Sequence, residues 1–195
     1  MSELIDCHAH CYLTTLPLAK TAWHRPSKSA SHQQLAQTLA ENGVDGMVLA
    51  AASILADENA YALEAVASHR NWRTTVIAPP DTPFPRLRAW KDAGAVGIRL
   101  QCMHHALPDF ASPEYRQFFK NVAALGWHVH VHDAGDRLAE ILPILTEAGV
   151  PIMVDHFGRP DPDTGREGKG YQAMLRSAET GRLWEKLSAG FRLHS

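Results

Sequence analysis

Short apolar or β-branched runs alternate with longer stretches of helical spacing along the whole chain, and this alternation restricts the fold more than any other feature. Leu4-Ile5 opens the first strand, which continues into Asp6-Cys7-His8-Ala9-His10. Ser31 is placed to cap a helix through Gln34, Leu35 and Leu39 that stops at Asn42-Gly43. A buried strand follows over 46–51 with its end at Ser53, then helical spacing over 57–70 and a β-branched strand over 73–78 that Pro79-Pro80 terminates. The rest repeats the pattern: helix 84–93, strand 95–100, helix 113–125, strand 127–132, helix 136–148, strand 152–156, helix 168–179 and strand 183–189. Seven strands separated by six helices predict an α/β fold with a parallel sheet and right-handed crossovers.

Doubly wound sheets and barrels both satisfy that alternation. The barrel is favoured because no Gly-x-Gly-x-x-Gly follows the first strand. Polar residues also gather at the ends of separate strands: His8 and His10, Ser53, Arg99 and Gln101, His130 and His132, His156, Ser188 and Arg192. In a (β/α)8 barrel those ends converge on one mouth, where the chemistry sits. The expectation is a single domain over residues 1–195 of TIM-barrel type, incomplete, with about seven strands and the eighth missing. Such barrels typically need roughly 250 residues, and this chain has 195.

Composition excludes several classes of partner. Lys and Arg total 19 against 21 Asp and Glu, a formal charge of -2, so no electrostatic footprint for nucleic acid is present. No stretch reaches the roughly 18 apolar residues of a membrane span, and Met1-Ser2-Glu3 does not open a secretory signal. Three cysteines, Cys7, Cys11 and Cys102, fit reduced thiols and a cytoplasmic setting. Cys7 and Cys11 lack zinc-finger spacing.

Three stretches carry chemistry. His8 and His10, two apart on a strand, share a face with Asp6, and paired imidazoles can form half of a divalent-metal site. In Trp127-His128-Val129-His130-Val131-His132-Asp133 the three histidines alternate with valines, which sends the imidazoles to the lumen with His132 nearest the mouth. In Val154-Asp155-His156-Phe157-Gly158-Arg159 an apolar strand ends in a histidine followed by a turn, while Asp155 and Asp133 are expected to face away from the lumen. Arg99 occupies a matching strand end and needs an anion, either a substrate carboxylate held bidentately or a salt bridge to Asp6 or Asp155. Arg192 is placed as a second carboxylate clamp.

Taken together these residues resemble the amidohydrolase superfamily. Asp6-Cys7-His8-Ala9-His10 is similar to its Asp-x-His-x-His signature. Gly126-Trp127-His128-Val129, Val154-Asp155-His156-Phe157-Gly158-Arg159 and Lys186-Leu187-Ser188-Ala189-Gly190-Phe191-Arg192 look like the amidohydrolase-2 branch of 2-pyrone-4,6-dicarboxylate hydrolases and sugar lactonases. The resemblance implies hydrolysis of a carboxylate-bearing lactone or similar cyclic ester. It places His8, His10 and His156 on catalytic histidines, Arg99, Arg192 and Ser53 on substrate-binding positions, and His8, His10, His132 and His156 on metal-ligand positions. The metal it implies is zinc or manganese, although part of the branch works without one.

Relatives carry an aspartate at the end of an eighth strand, and no matching segment occurs here. A fragment, a partner subunit supplying the strand, or an inactive, binding-only barrel would each account for that, and a homodimer could cover the open edges. Two other enzyme readings remain: a decarboxylase of an unsaturated or aromatic acid, and a metal-dependent deoxyribonuclease. The second would want a glutamate where Arg99 stands and a basic rim.

Overall fold

The computed structural model describes residues 3–103, 105–133 and 135–192. The chain divides into two compact units, Met1–Gly97 and Ile98–Ser195.

In the first unit β1 (Ile5–Ala9), β2 (Gly46–Leu49) and β3 (Trp72–Val76) run parallel, with Ile5 opposite Gly46 and Val48 opposite Arg73. Helices α1 (His32–Glu41), α2 (Ala60–Ser68) and α3 (Phe84–Asp92) alternate with them. α1 begins where its sequence dictates. The Ser31 hydroxyl accepts the Gln34 backbone N–H while the Gln34 side chain accepts the Ser31 N–H, a reciprocal cap in which the serine contributes about 1 kcal/mol. Met47, Leu49, Ala65 and Trp72 form the centre of this unit's core, with Leu39, Val66, Tyr61 and Cys11 around them.

β4 (Ala95–Gln101) begins in the first unit and ends in the second. The second unit continues with α4 (Pro113–Ala124), β5 (His128–His132), α5 (Leu138–Glu147), β6 (Ile152–Val154), α6 (Lys169–Ala178) and β7 (Leu183–Glu185). β5, β6 and β7 are parallel, with Val131 opposite Val154 and Val154 opposite Glu185. Val129 and Val131, the apolar positions between the histidines, are fully buried with Phe118, Phe119, Trp127, Ile141 and Leu145. Each fully buried side chain of this size stabilises by roughly 1.5–3 kcal/mol. Gly170 lets α6 approach the turn before α5, since a Cβ there would lie 1.9 Å from the Gly135 carbonyl oxygen.

The seven strands succeed one another in the sheet in chain order. That is the succession of a (β/α)8 barrel, and the fold is an incomplete one, with seven strands and six α-helices among the described residues. Four strands end at least two residues before the sequence predicts, β2 at Leu49, β3 at Val76, β6 at Val154 and β7 at Glu185. Turns follow three of them, at Ser53–Leu55 after β2, at His156–Gly158 after β6 and, past Ala189 at φ 52°, at Gly190–Arg192 after β7. Ser53 and His156, expected at strand ends, therefore stand on turns. No described helix is long and apolar enough to cross a membrane.

Candidate active site

In the second unit four successive strand ends deliver ionisable side chains to one buried cluster. β4 supplies Arg99 and Gln101, β5 supplies His130 and His132, the turn after β6 supplies Asp155 and His156, and the segment after β7 supplies Lys186 and Ser188. Asp155 is its centre and is 0% exposed. Its Oδ2 accepts Arg99 Nη2 at 3.1 Å, its Oδ1 bonds His130 Nε2, and Lys186 Nζ lies 3.6 Å from the same oxygen. Of the two partners foreseen for Arg99, a substrate carboxylate or an internal aspartate, the internal one is present. Lys186 reaches the cluster because its N–H bonds the Val154 carbonyl and its own carbonyl accepts the Phe157 N–H, which ties it to the end of β6.

Asp155 does not face away, as strand alternation led one to expect. β6 ends at Val154, and Asp155 leads into a left-handed run with φ of 55° at His156, 60° at Phe157, 67° at Gly158 and 44° at Arg159. Only the glycine takes that conformation without strain. A Cβ at Gly158 would also meet Met174 Sδ at 2.3 Å, so that side chain would have to shift. The turn brings Asp155 and His156 into the same cluster despite their being sequence neighbours, and three strained residues at one site is a pattern associated with function.

His132 and His156 meet edge to face, with ring centroids 5.5 Å apart. Ser188 Oγ lies 2.9 Å from His156 Nδ1, and Gln101 Oε1 lies 2.7 Å from His132 Nδ1. Burial, reinforced by the Arg99 guanidinium, pushes the His132 imidazole down to about 3, so it is neutral at ordinary pH. His130 is held well below its usual value, chiefly by burial, against the opposing pull of Asp155. Burial also lowers Arg99, and Asp155 counteracts it.

His132, Asp155 and His156 each offer a ligand atom, all within 4.8 Å of one another. Two imidazoles and a carboxylate are a donor set that suits zinc. The Nε2 of His132 fits this use, being buried with no hydrogen-bond partner among the described residues. The thiols do not. Burial pushes Cys11 to about 11 and Cys102 to about 12, and both stay protonated.

In the first unit the remaining expected residues stand as follows. His8 on β1 and His10, one residue past its end, are half-buried, their rings 5.0 Å apart in a T-shaped contact. The His8 N–H bonds Asp6 Oδ1 at 2.8 Å, and His10 Nδ1 lies 2.7 Å from the Ala50 carbonyl oxygen. Donation from Nδ1 to that carbonyl leaves the lone pair on Nε2, the ligand form of the ring. Ser53, half-buried, opens a 3-10 turn after β2 whose Ile54 and Leu55 are buried. The side chain of Arg192 lies outside the described residues.

Sequence reasoning gave no role to Gln101 or Lys186 and misplaced Asp155. Gln101 follows Arg99 at the i+2 spacing of one strand face, a legible signal. Lys186 lies beyond the end of β7, where no periodicity predicts direction.

The profile of the family described as Amidohydrolase matches residues 5–195. The 4-sulfomuconolactone hydrolase of Hydrogenophaga intermedia is 24% identical over 192 residues, covering 96% of this chain and 63% of that protein. The 2-pyrone-4,6-dicarboxylate hydrolase of Comamonas testosteroni is also 24% identical, covering 97% of this chain and 63% of its own. This chain thus spans about 63% of the length of these curated relatives. Among solved structures, a probable 2-pyrone-4,6-dicarboxylic acid hydrolase from Acinetobacter baumannii with citric acid bound superposes with a TM-score of 0.93. The two are 32% identical, with 98% of this chain and 72% of that one covered. With the strand order, the motif at β1 and near-complete coverage by the profile in agreement, the chain belongs to the amidohydrolase family.

Proposed function

We propose that this chain carries the hydrolytic site of an enzyme that opens a carboxylate-bearing lactone, with a 2-pyrone-4,6-dicarboxylate-like compound as the substrate class. The observation that carries the reading is the buried cluster itself. It sets a zinc-type donor set, Asp155 among it, beside two cations, Arg99 and Lys186, that the same carboxylate holds in place. The names of the two relatives and the citric acid held by the structural neighbour support it.

In this reading His132, His156 and Asp155 would hold a divalent cation, which would supply Lewis-acid polarisation of the lactone carbonyl and a more acidic water. Arg99, aimed by Asp155, is the counter-ion for a substrate carboxylate, with Arg192 as a second clamp and Ser53 as a substrate contact by family resemblance. By family resemblance the Asp-x-His-x-His motif makes His8 and His10 metal ligands or imidazoles that polarise the carbonyl.

The test is turnover of 2-pyrone-4,6-dicarboxylate and of a muconolactone, before and after chelation, with zinc and manganese content measured alongside. The expected result is ring opening that chelation abolishes and either metal restores. In His132→Ala and His156→Ala the rate falls by about two orders of magnitude, as on losing a transition-state electrostatic contact. Turnover that survives chelation would remove the metal from the reading. Release of CO2 without ring opening would replace hydrolysis with decarboxylation.

A further inference from the structure

The two histidines of the donor set are held at Nδ1 by different kinds of group. Ser188 Oγ can donate or accept, so its contact with His156 leaves the tautomer open. An amide oxygen only accepts. With Gln101 Oε1 2.7 Å from His132 Nδ1, the hydrogen stands on Nδ1, and in the neutral ring the lone pair is on Nε2. That Nε2 is the buried atom with no hydrogen-bond partner among the described residues, and it is the ligand atom offered beside Asp155 and His156.

The frame around the pair is rigid. The Cys102 and Met103 N–H groups both bond the His132 carbonyl, at 3.0 and 3.3 Å, so the ends of β4 and β5 are locked where Gln101 meets His132. Arg137 closes the frame from the start of α5. Its Nε donates to Asp133 Oδ2 at 3.0 Å, and its Nη2 donates to the carbonyls of Cys102 at 3.0 Å and His105 at 2.7 Å. One guanidinium thus holds the residues following both partners.

We propose that Gln101 is a positioning residue that fixes the Nδ1–H tautomer of His132 and aims its Nε2 at the metal position. The tautomer claim stands on the geometry alone. Its consequence for metal binding rests on the reading of the preceding subsection.

Two measurements on the full chain test it, using Gln101→Leu, which removes the acceptor at similar length, and Gln101→Glu, which keeps one. The first is long-range 1H–15N correlation of histidine-labelled, metal-free protein, with the His132 signals assigned by their loss in His132→Asn. Wild type and Gln101→Glu should show the Nδ1–H pattern, and Gln101→Leu a shift towards Nε2–H. The second is Co2+ and Zn2+ affinity by titration. Gln101→Leu should lose about 10–100-fold, the usual effect of removing a histidine's outer hydrogen-bond partner, and Gln101→Glu should stay near wild type. A wild-type His132 in the Nε2–H form, or a Gln101→Leu protein with unchanged tautomer, overturns the proposal. A tautomer shift in Gln101→Leu, together with a wild-type protein that binds neither metal, would retain Gln101's role and discard the metal site instead. Unchanged affinity in a Gln101→Leu protein whose tautomer has shifted would overturn the link between them.

Discussion

Replacing Asp155 with alanine should destabilise the second unit more than any other single truncation of its polar residues. The carboxylate is 0% exposed and its partner Arg99 is 3% exposed, while the Lys186 side chain is 11% exposed. Without Asp155 a guanidinium and an ammonium share a dry site that has lost the anion between them. Removing one partner of a buried ion pair leaves an uncompensated charge and costs about 3–5 kcal/mol. For a chain of this size, one kcal/mol moves Tm by about 2–4 °C, so a fall of about 6–20 °C is expected. The assay is thermal and urea unfolding followed by circular dichroism and by fluorescence of Trp127, which is fully buried in the same unit. The double variant Arg99→Met/Asp155→Leu is the control, because apolar residues of similar volume can replace a buried ion pair at little loss. It should recover a large part of the stability lost by Asp155→Ala. An Asp155→Ala protein within about 1 kcal/mol of wild type, or a double variant less stable than the sum of its singles, would refute the reasoning.

Three further perturbations are decided by local geometry. Gly170→Ala would set its Cβ 1.9 Å from a backbone oxygen of Gly135 that cannot move alone, and should cost about 3 kcal/mol in urea unfolding. Arg159→Gly relieves one left-handed residue at φ 44°, and after the entropy of the added glycine should raise stability by about 0.5–1 kcal/mol, read as a higher urea midpoint. His32 Nδ1 and His69 Nε2 lie 3.0 Å apart, and His69 stacks on Trp72 with ring centroids at 4.1 Å. Burial, with the His32 imidazole adding, holds His69 below its ordinary value of 6.5. The unfolded chain therefore takes up this proton first, and the stability that the neutral ring contributes is present above about pH 6.5 and lost as pH falls below it. His69→Phe keeps the stack, and its urea midpoint should decline less than that of wild type between pH 7.5 and 5.

Much of this was legible before any coordinates, and the exceptions have a common cause. The Ser31 cap, the Asn42-Gly43 stop and the buried faces of Val129 and Val131 follow from rules that act within one helix or one strand. His132 reached the cluster for the same reason, since alternation along β5 holds to its last residue. Asp155 and Lys186 were misread or missed because each lies just past a strand end. There a left-handed turn or a backbone bond to the neighbouring strand sets the direction of the side chain. The role of Gln101 depends on which residue stands across from it on β5, a register that no single segment encodes.

The claim on which the mechanism turns is that a divalent cation belongs among His132, Asp155 and His156. Crystals of the chain grown with zinc and measured at the zinc absorption edge test it directly. The account predicts one strong anomalous peak bonded to His132 Nε2 and to both other residues, lost in His132→Ala. Zinc ordered at another place while this cluster keeps its hydrogen bonds without an ion would contradict it.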